Sequence, residues 1–233
     1  MEKLNRSEIS KLSYSQKIDY YSHSSNLISV NNGNTKTGLG CLTLSMPVLT
    51  CRDDAPCKKS KTCYCMKGRQ VFPTVCGAYY RNWRIWNQNP QLFEKQLNSI
   101  ITLSGLSLFR YNDAGEIVDS EYLAMMYRVA LNHPDVRFLA YTKKYKMVND
   151  FIANNNIIPN NLTIRYSMWD KTWKVPNPFN LPTAYVRFKD DARNPKIPTC
   201  AFQCNGGTKT EITCSSCQMC FRKEVKFVVF NQH

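Results

Sequence analysis

"LSLFRYND" (106–113), "DSEYLAMMYRVALNHP" (119–134) and "VRFLAYTK" (136–143) follow one another with almost no gap. The first and third are short apolar and aromatic runs of the kind that form buried strands. The middle stretch has the helical period instead. Tyr122, Leu123, Met126, Val129 and Ala130 fall on one face, Asp119 or Ser120 can cap the start, and Asn132, His133 and Pro134 end it. Strand, helix, strand with such short joints is a crossover unit, and crossover units build parallel sheets.

The same pattern extends in both directions. "GCLTLSMPVL" (40–49), "LTIRYSMW" (162–169), "TAYVRF" (183–188) and "VKFVVF" (225–230) read as further strands. "NPQLFEKQLNSIITL" (89–103) and "KKYKMVNDFIANN" (143–155) read as further helices. The expected fold is α/β: a partial (β/α)6-type parallel barrel or curled sheet, short of the eight-fold barrel, with a small cysteine-rich C-terminal extension. Three parts are expected: a polar arm over 1–35 rich in Ser, Asn and Tyr, the α/β body over 36–190, and a metal-binding extension with a final strand over 191–233.

The chain has 233 residues, enough to bury a core without disulfides. No run of eighteen apolar residues occurs, and no apolar stretch follows the basic start "MEKLNRSEISKLSYSQK". The expectation is therefore an intracellular protein with no membrane span and no signal peptide. In a reducing compartment, clustered cysteines are metal ligands or catalysts more often than bridges. The odd count of eleven points the same way. The formal net charge of +14 fits a polyanionic partner such as nucleic acid, and fits a plain solubility feature as well.

Ligand sites in parallel sheets lie at the carboxyl ends of the strands. "TCRDDAPCKKSKTCYCMKGR" (50–69) begins at such an end, directly after the first strand. Cys51, Cys57 and Cys63 have five residues between each pair, and Cys65 follows Tyr64. Zinc sites normally pair thiols two to four residues apart. Three thiolates in one loop suit an iron–sulfur cluster with one iron open, with zinc as the alternative. The tail "CAFQCNGGTKTEITCSSCQMC" (200–220) carries Cys200, Cys204, Cys214, Cys217 and Cys220. Its CxxCxxC can wrap three corners of a cubane cluster, with Cys200 or Cys204 as fourth ligand, or it can build a zinc knuckle.

A cysteine loop after strand one, a second strand running into "RYNDAGE" and a cysteine-rich extension together resemble radical S-adenosylmethionine enzymes. The resemblance implies a 4Fe–4S cluster on three loop cysteines. It also implies S-adenosylmethionine held at "DAGE", where Asp113, Gly115 and Glu116 would bind the cofactor and Glu116 would take its amino group. A reductant such as flavodoxin or ferredoxin would supply electrons, and the substrate is undefined. The spacing of the loop departs from the three-and-two pattern of those enzymes, so both Cys63 and Cys65 stand as third ligand. More closely, the chain resembles a bacteriophage family called gene product 88. The matching pieces are "LTLSMPVLTC", "KGRQVFP", "FRYNDAGEIVDSEYL", "HPDVRFLAYTK" and "CSSCQMCFRKEVKFVVFNQH" with its terminal His233. That resemblance implies a phage protein acting in the host cytoplasm. The competing expectation is a non-catalytic zinc- or cluster-stabilised protein that binds nucleic acid or a host factor.

Other residues carry plainer expectations. Cys41 and Cys76 read as core thiols, and Tyr79, Trp83 and Trp86 as one buried helical face. Arg81 and Arg84 lie off that face and are candidates for a phosphate or carboxylate. Lys143 and Lys144 close a strand at the functional end and are candidates for the substrate side or for plain solvated lysines. His23 and His133 read as loop residues, and Asn161-Leu162-Thr163 matches a glycosylation sequon that needs secretion to matter.

Overall fold

The computed structural model describes residues 3–154, 157–206 and 211–232; the terminal His233 lies outside them. Two helices, α1 (Arg6–Lys11) and α2 (Tyr14–His23), open the chain. Each starts in a capping box, Asn5 with Glu8 and Ser13 with Gln16, which satisfies the otherwise orphaned N–H groups of a first turn. Strand β1 (Val30–Asn32) leads to β2 (Cys41–Leu44), and the one-turn α3 (Pro56–Lys59) lies in the loop that follows. Two long helices come next, α4 (Pro73–Gln88) and α5 (Pro90–Ser104), both with proline at the first turn. After β3 (Leu108–Tyr111), α6 (Ser120–Asn132) is capped by Asp119, whose carboxylate accepts from the Tyr122 N–H. Then come β4 (Arg137–Thr142), α7 (Tyr145–Ala153), β5 (Leu162–Met168) and β6 (Thr183–Arg187). Short β7 (Phe202–Gln203), α8 (Cys214–Cys217) and β8 (Phe227–Asn231) end the chain.

The eight strands form one sheet in the order β1-β2-β3-β4-β5-β6-β8-β7. Only β1 runs antiparallel to its neighbour; the other pairings are parallel. The expected parallel sheet is present, and it stays open. Helical crossovers join β2 to β3, β3 to β4 and β4 to β5, whereas the β5–β6 connection has no helix. Its sequence explains this, because Pro176, Pro178 and Pro182 each remove a donor and clash with helical backbone.

Alternation along the strands divides the sheet into two faces. Leu42, Leu44, Phe109, Tyr111, Phe138, Ala140, Leu162, Ile164 and Tyr166 point to one side and pack with Trp86, Phe93, Leu97, Met126 and Val129 of the helices. Residues 3–35 join this layer. α2 lies so close to α4 that a Cβ on Gly77 would meet the Tyr21 Cβ at 2.3 Å. Ile28 enters the core, and the Arg84 guanidinium donates to the Ser22 and Ser25 carbonyls, so Arg84 clamps this segment and is not free for a phosphate. The sequon residue Asn161 is also structural: its amide donates to the Ala130, His133 and Val136 carbonyls, each at 2.9 Å.

The chain after β6 covers the second face. Cys41, Leu108, Leu139 and Phe221 form a small buried cluster there, against which Tyr141, Cys214 and Cys220 pack. Arg165 fixes this layer. It projects from β5 at 0% exposure and donates to the carbonyls of Cys220 and Val225 at 2.7 Å, Arg222 at 2.8 Å and Met219 at 3.3 Å. Thr163, two residues earlier on the same face, donates to the Phe221 carbonyl at 2.8 Å. No helix among the described residues is long and apolar enough to cross a membrane.

Arg165→Met keeps the length and the apolar stem but leaves four carbonyls under the sheet without the guanidinium donor. Loss of such a buried charge-assisted network costs about 3–5 kcal/mol. In a chain of this size that lowers Tm by about 10 °C. Calorimetry should show this drop, and an unchanged Tm would mean that the tail layer is held by other contacts.

Candidate functional site

The carboxyl ends of β2 to β6 and β8 lie along one edge of the sheet, because these strands are parallel. At that edge the chain leaving β2 and the chain leaving β3 remain paired. The Met46 N–H donates to the Ala114 carbonyl at 2.9 Å, and the Ala114 N–H donates to Ser45 Oγ at 3.2 Å. Gly115 is held at φ +78°, where a Cβ would stand 2.4 Å from the Met46 carbonyl oxygen. Only glycine suits both the left-handed backbone and the close approach.

This join places Glu116 beside the cysteine loop. Its N–H donates to Thr50 Oγ1 at 2.9 Å, one residue before Cys51. The carboxylate is buried and accepts from the Lys143 N–H at 2.8 Å and the Ile117 N–H at 2.9 Å. Burial raises its pKa, and those two N–H groups partly offset the effect. The Thr142 hydroxyl is a third donor, and three donors leave capacity for one more, since an ionised carboxylate has about four lone-pair sites.

The loop thiols gather at the same place. Cys57 and Cys63 are in thiol–thiol contact, and Cys51 lies within electrostatic reach of both and of Glu116. Burial first, then Glu116, Cys63 and Cys57, push the Cys51 thiol up to about 12. Contact with Cys63, followed by burial, raises Cys57 further. Cys63 is pulled down by Cys57, but Cys65 and burial outweigh that and leave it raised. Cys65 is buried, contacts the Cys63 thiol and points its Sγ at the Asp113 carbonyl, 3.9 Å away. Contacts thus link Cys57 to Cys63 and Cys63 to Cys65, with Cys51 within electrostatic reach of the first two, so Cys63 and Cys65 both stand as third ligand.

Asp113 lies on the other side of Cys65. Its carboxylate pairs with Arg110 at 3.1 Å and accepts from Asn34 Nδ2 at 2.9 Å, while its carbonyl accepts from the Tyr64 hydroxyl. It is spent on structure and faces the second side of the sheet, apart from Glu116. Arg110 in turn lies over the Tyr141 ring at 5.2 Å and within electrostatic reach of Cys214. This ion pair therefore stands between the two cysteine groups.

In the tail, Cys204, Cys214 and Cys220 are mutually within electrostatic reach, and the fully buried Cys41 lies beside Cys214. Burial raises Cys214 and Cys220, offset at Cys220 by the Tyr141 hydroxyl and Arg165. Cys204 is anchored by its N–H to the Val229 carbonyl at 2.9 Å. Cys200 is exposed, and Cys217 is half-buried on α8. Sequence reasoning set Cys41 aside as a core thiol; the signal that would have linked it to the tail is the pairing of the Cys214 and Ser215 N–H groups with the Lys36 and Thr37 carbonyls just before β2. Of the two lysines, Lys144 donates to the Val118 carbonyl, whereas Lys143 faces the thiols and the Trp169 ring, 5.7 Å away.

Among the described residues, no three His, Cys, Asp or Glu side chains stand at metal-ligand separations. The donor chemistry nevertheless fits a thiolate-bound centre. Clustered neutral thiols become ligands by losing protons to a cation, which reverses the upward pKa shifts that burial imposes. The 51–65 loop would have to draw its three thiols inward to bind.

In metal-free protein at pH 8.5, a thiol shifted to about 12 has roughly fifteen-hundredfold less thiolate than half-ionisation would give. Iodoacetamide with mass mapping should therefore modify exposed Cys200 quickly and leave Cys51 intact. Equal rates at the two positions would contradict the burial of Cys51.

No curated protein and no solved structure matches the chain. The Gene product 88 family model matches residues 22–224, from the end of α2 through both cysteine groups to the loop before β8. With nearly the whole sheet and both thiol sets inside the match, the chain belongs to the bacteriophage Gene product 88 family.

Proposed function

We propose that this phage protein is an iron–sulfur protein of radical S-adenosylmethionine type, acting on a substrate still to be identified. The observation that supports it most is that the Cys51 thiol lies within electrostatic reach of the buried Glu116 carboxylate, at the ends of adjacent parallel strands. Cys51, Cys57 and Cys63 would hold a 4Fe–4S cluster with one iron open. When bound, such a cluster supplies an electron that splits S-adenosylmethionine to a carbon radical, which abstracts hydrogen from substrate.

The chain's own residues have defined tasks in this reading. Glu116 accepts the cofactor's ammonium with the lone pair that Lys143, Ile117 and Thr142 leave open. Thr50 and Gly115 hold the Glu116 backbone beside the loop. The sequential run of parallel strands from β2 to β6, with helices on one face, is compatible with the expected barrel-like curl. A second reading is a non-catalytic protein stabilised by zinc or a cluster. It is favoured by the tail, where Cys214 and Cys220 pack into an apolar cluster that suits a structural metal better than chemistry.

Calorimetry on anaerobically reconstituted protein separates the readings. Wild type should contain iron and bind S-adenosylmethionine. Glu116→Gln should keep its iron and lose about ten- to a hundredfold in affinity, the value of one charge-assisted bond of roughly 1.5–3 kcal/mol. Stoichiometric zinc with no iron after reconstitution, or iron-loaded wild type without affinity for the cofactor, would reject the radical reading.

A further inference from the structure

We propose that the carboxyl edge of the sheet is a binding surface for single-stranded nucleic acid, and that the strand lies across the mouth of the Cys51 loop. Three cation–aromatic pairs stand along this edge. Arg52 lies over the Trp173 ring at 5.6 Å, Lys143 over Trp169 at 5.7 Å and Arg193 over Phe188 at 4.2 Å. Trp169 and Phe188 also meet edge to face at 5.2 Å, so the last two pairs form a continuous row of cation, ring, ring and cation. Both tryptophans are half-buried, which fixes their rings while leaving part of each open to a ligand.

The row continues onto the loop beyond the thiols. Residues 51–72 carry six cations against two acids, and the acids are already used: Asp54 pairs with Arg52 and Asp53 with Lys58. Lys59, Lys61, Lys67 and Arg69 are exposed there, with the exposed Tyr64 and Phe72 among them. Interleaved cations and aromatic rings take a flexible polyanion whose bases can stack, whereas a duplex hides its base faces. A purely electrostatic patch would need no rings, and an apolar protein partner would not favour four unpaired cations. The surface explains Trp169, Trp173 and Arg193, which the proposed chemistry leaves without a role, and it stands independently of that chemistry.

Fluorescence anisotropy on the full-length protein tests it, with labelled oligothymidylate, oligouridylate and a duplex of matched length. Both single strands are within the proposal, and oligodeoxyuridylate against oligouridylate, which share a base, identifies the sugar. Single strands should bind more tightly than the duplex, with log affinity falling linearly as log salt rises, by about 0.7 per phosphate contacted. Trp169→Ala should weaken binding roughly tenfold, in line with loss of one stacked base. Because that variant could disturb its loop, the exposed pair Lys59→Glu/Lys61→Glu serves as a second probe. It should flatten the salt slope and leave Tm unchanged. Duplex bound as tightly as single strands with Trp169→Ala silent, or no binding of either strand at low salt, would overturn the proposal. Glu116→Gln should keep its oligonucleotide affinity while losing S-adenosylmethionine, so the surface and the proposed chemistry can fail separately.

Discussion

A guanidinium buried without a direct ion pair holds the molecule's second layer in place. A mostly parallel sheet needs both faces covered, because its strands are apolar on both sides. The helices cover one face, and the only chain left for the other is the cysteine-rich tail, which is too short and polar to build a core of its own. Arg165 resolves this by offering its N–H donors to the carbonyls of Met219, Cys220, Arg222 and Val225, of which Met219 and Arg222 also accept from the Arg222 and Val225 N–H groups at 3.3 Å. Burial disfavours the charge on Arg165, and carbonyl dipoles in place of a counter-ion make the arrangement sensitive to any loss of geometry. The position of Cys220 follows from this clasp, and Cys214 is carried with it.

At the other end of the same strands, a backbone join does comparable work. Because Met46 and Ala114 continue the β2–β3 ladder past the strand ends, two loops distant in sequence approach as closely as neighbouring strands. Gly115 makes that approach possible, and Glu116 is thereby aimed at the residue before Cys51. The Arg110–Asp113 pair, with Tyr64 on one side and Cys214 on the other, ties this edge to the tail layer.

Much of this was legible in the sequence, for physical reasons. The crossover units announced themselves because a helix of period 3.6 and a short apolar strand cannot be confused when caps and a proline mark the joints, as at Asp119 and Pro134. The open edge at β1 and β7 was not legible, since strands of two or three residues carry no period. Arg165 went unremarked in the sequence, although an arginine between Ile164 and Tyr166 in a strand covered on both faces needs a buried partner. Spacing left Cys63 and Cys65 undecided because two residues in a turn can face opposite ways; the contact of Cys65 with the Asp113 carbonyl comes only from tertiary packing. Asp113 read as a cofactor residue by its place in "DAGE", and its engagement by Arg110 three residues earlier depends on the left-handed turn at Asn112, φ +52°.

The central claim is that Cys51, Cys57 and Cys63 hold a cluster with one iron open to S-adenosylmethionine. Electron paramagnetic resonance on anaerobically reconstituted, reduced protein addresses it directly. The predicted result is a reduced-cluster signal that shifts when S-adenosylmethionine is added and whose shifting component is missing from the triple alanine variant of these three cysteines. A signal indifferent to the cofactor, or one that keeps its full response in the triple variant, would contradict the claim.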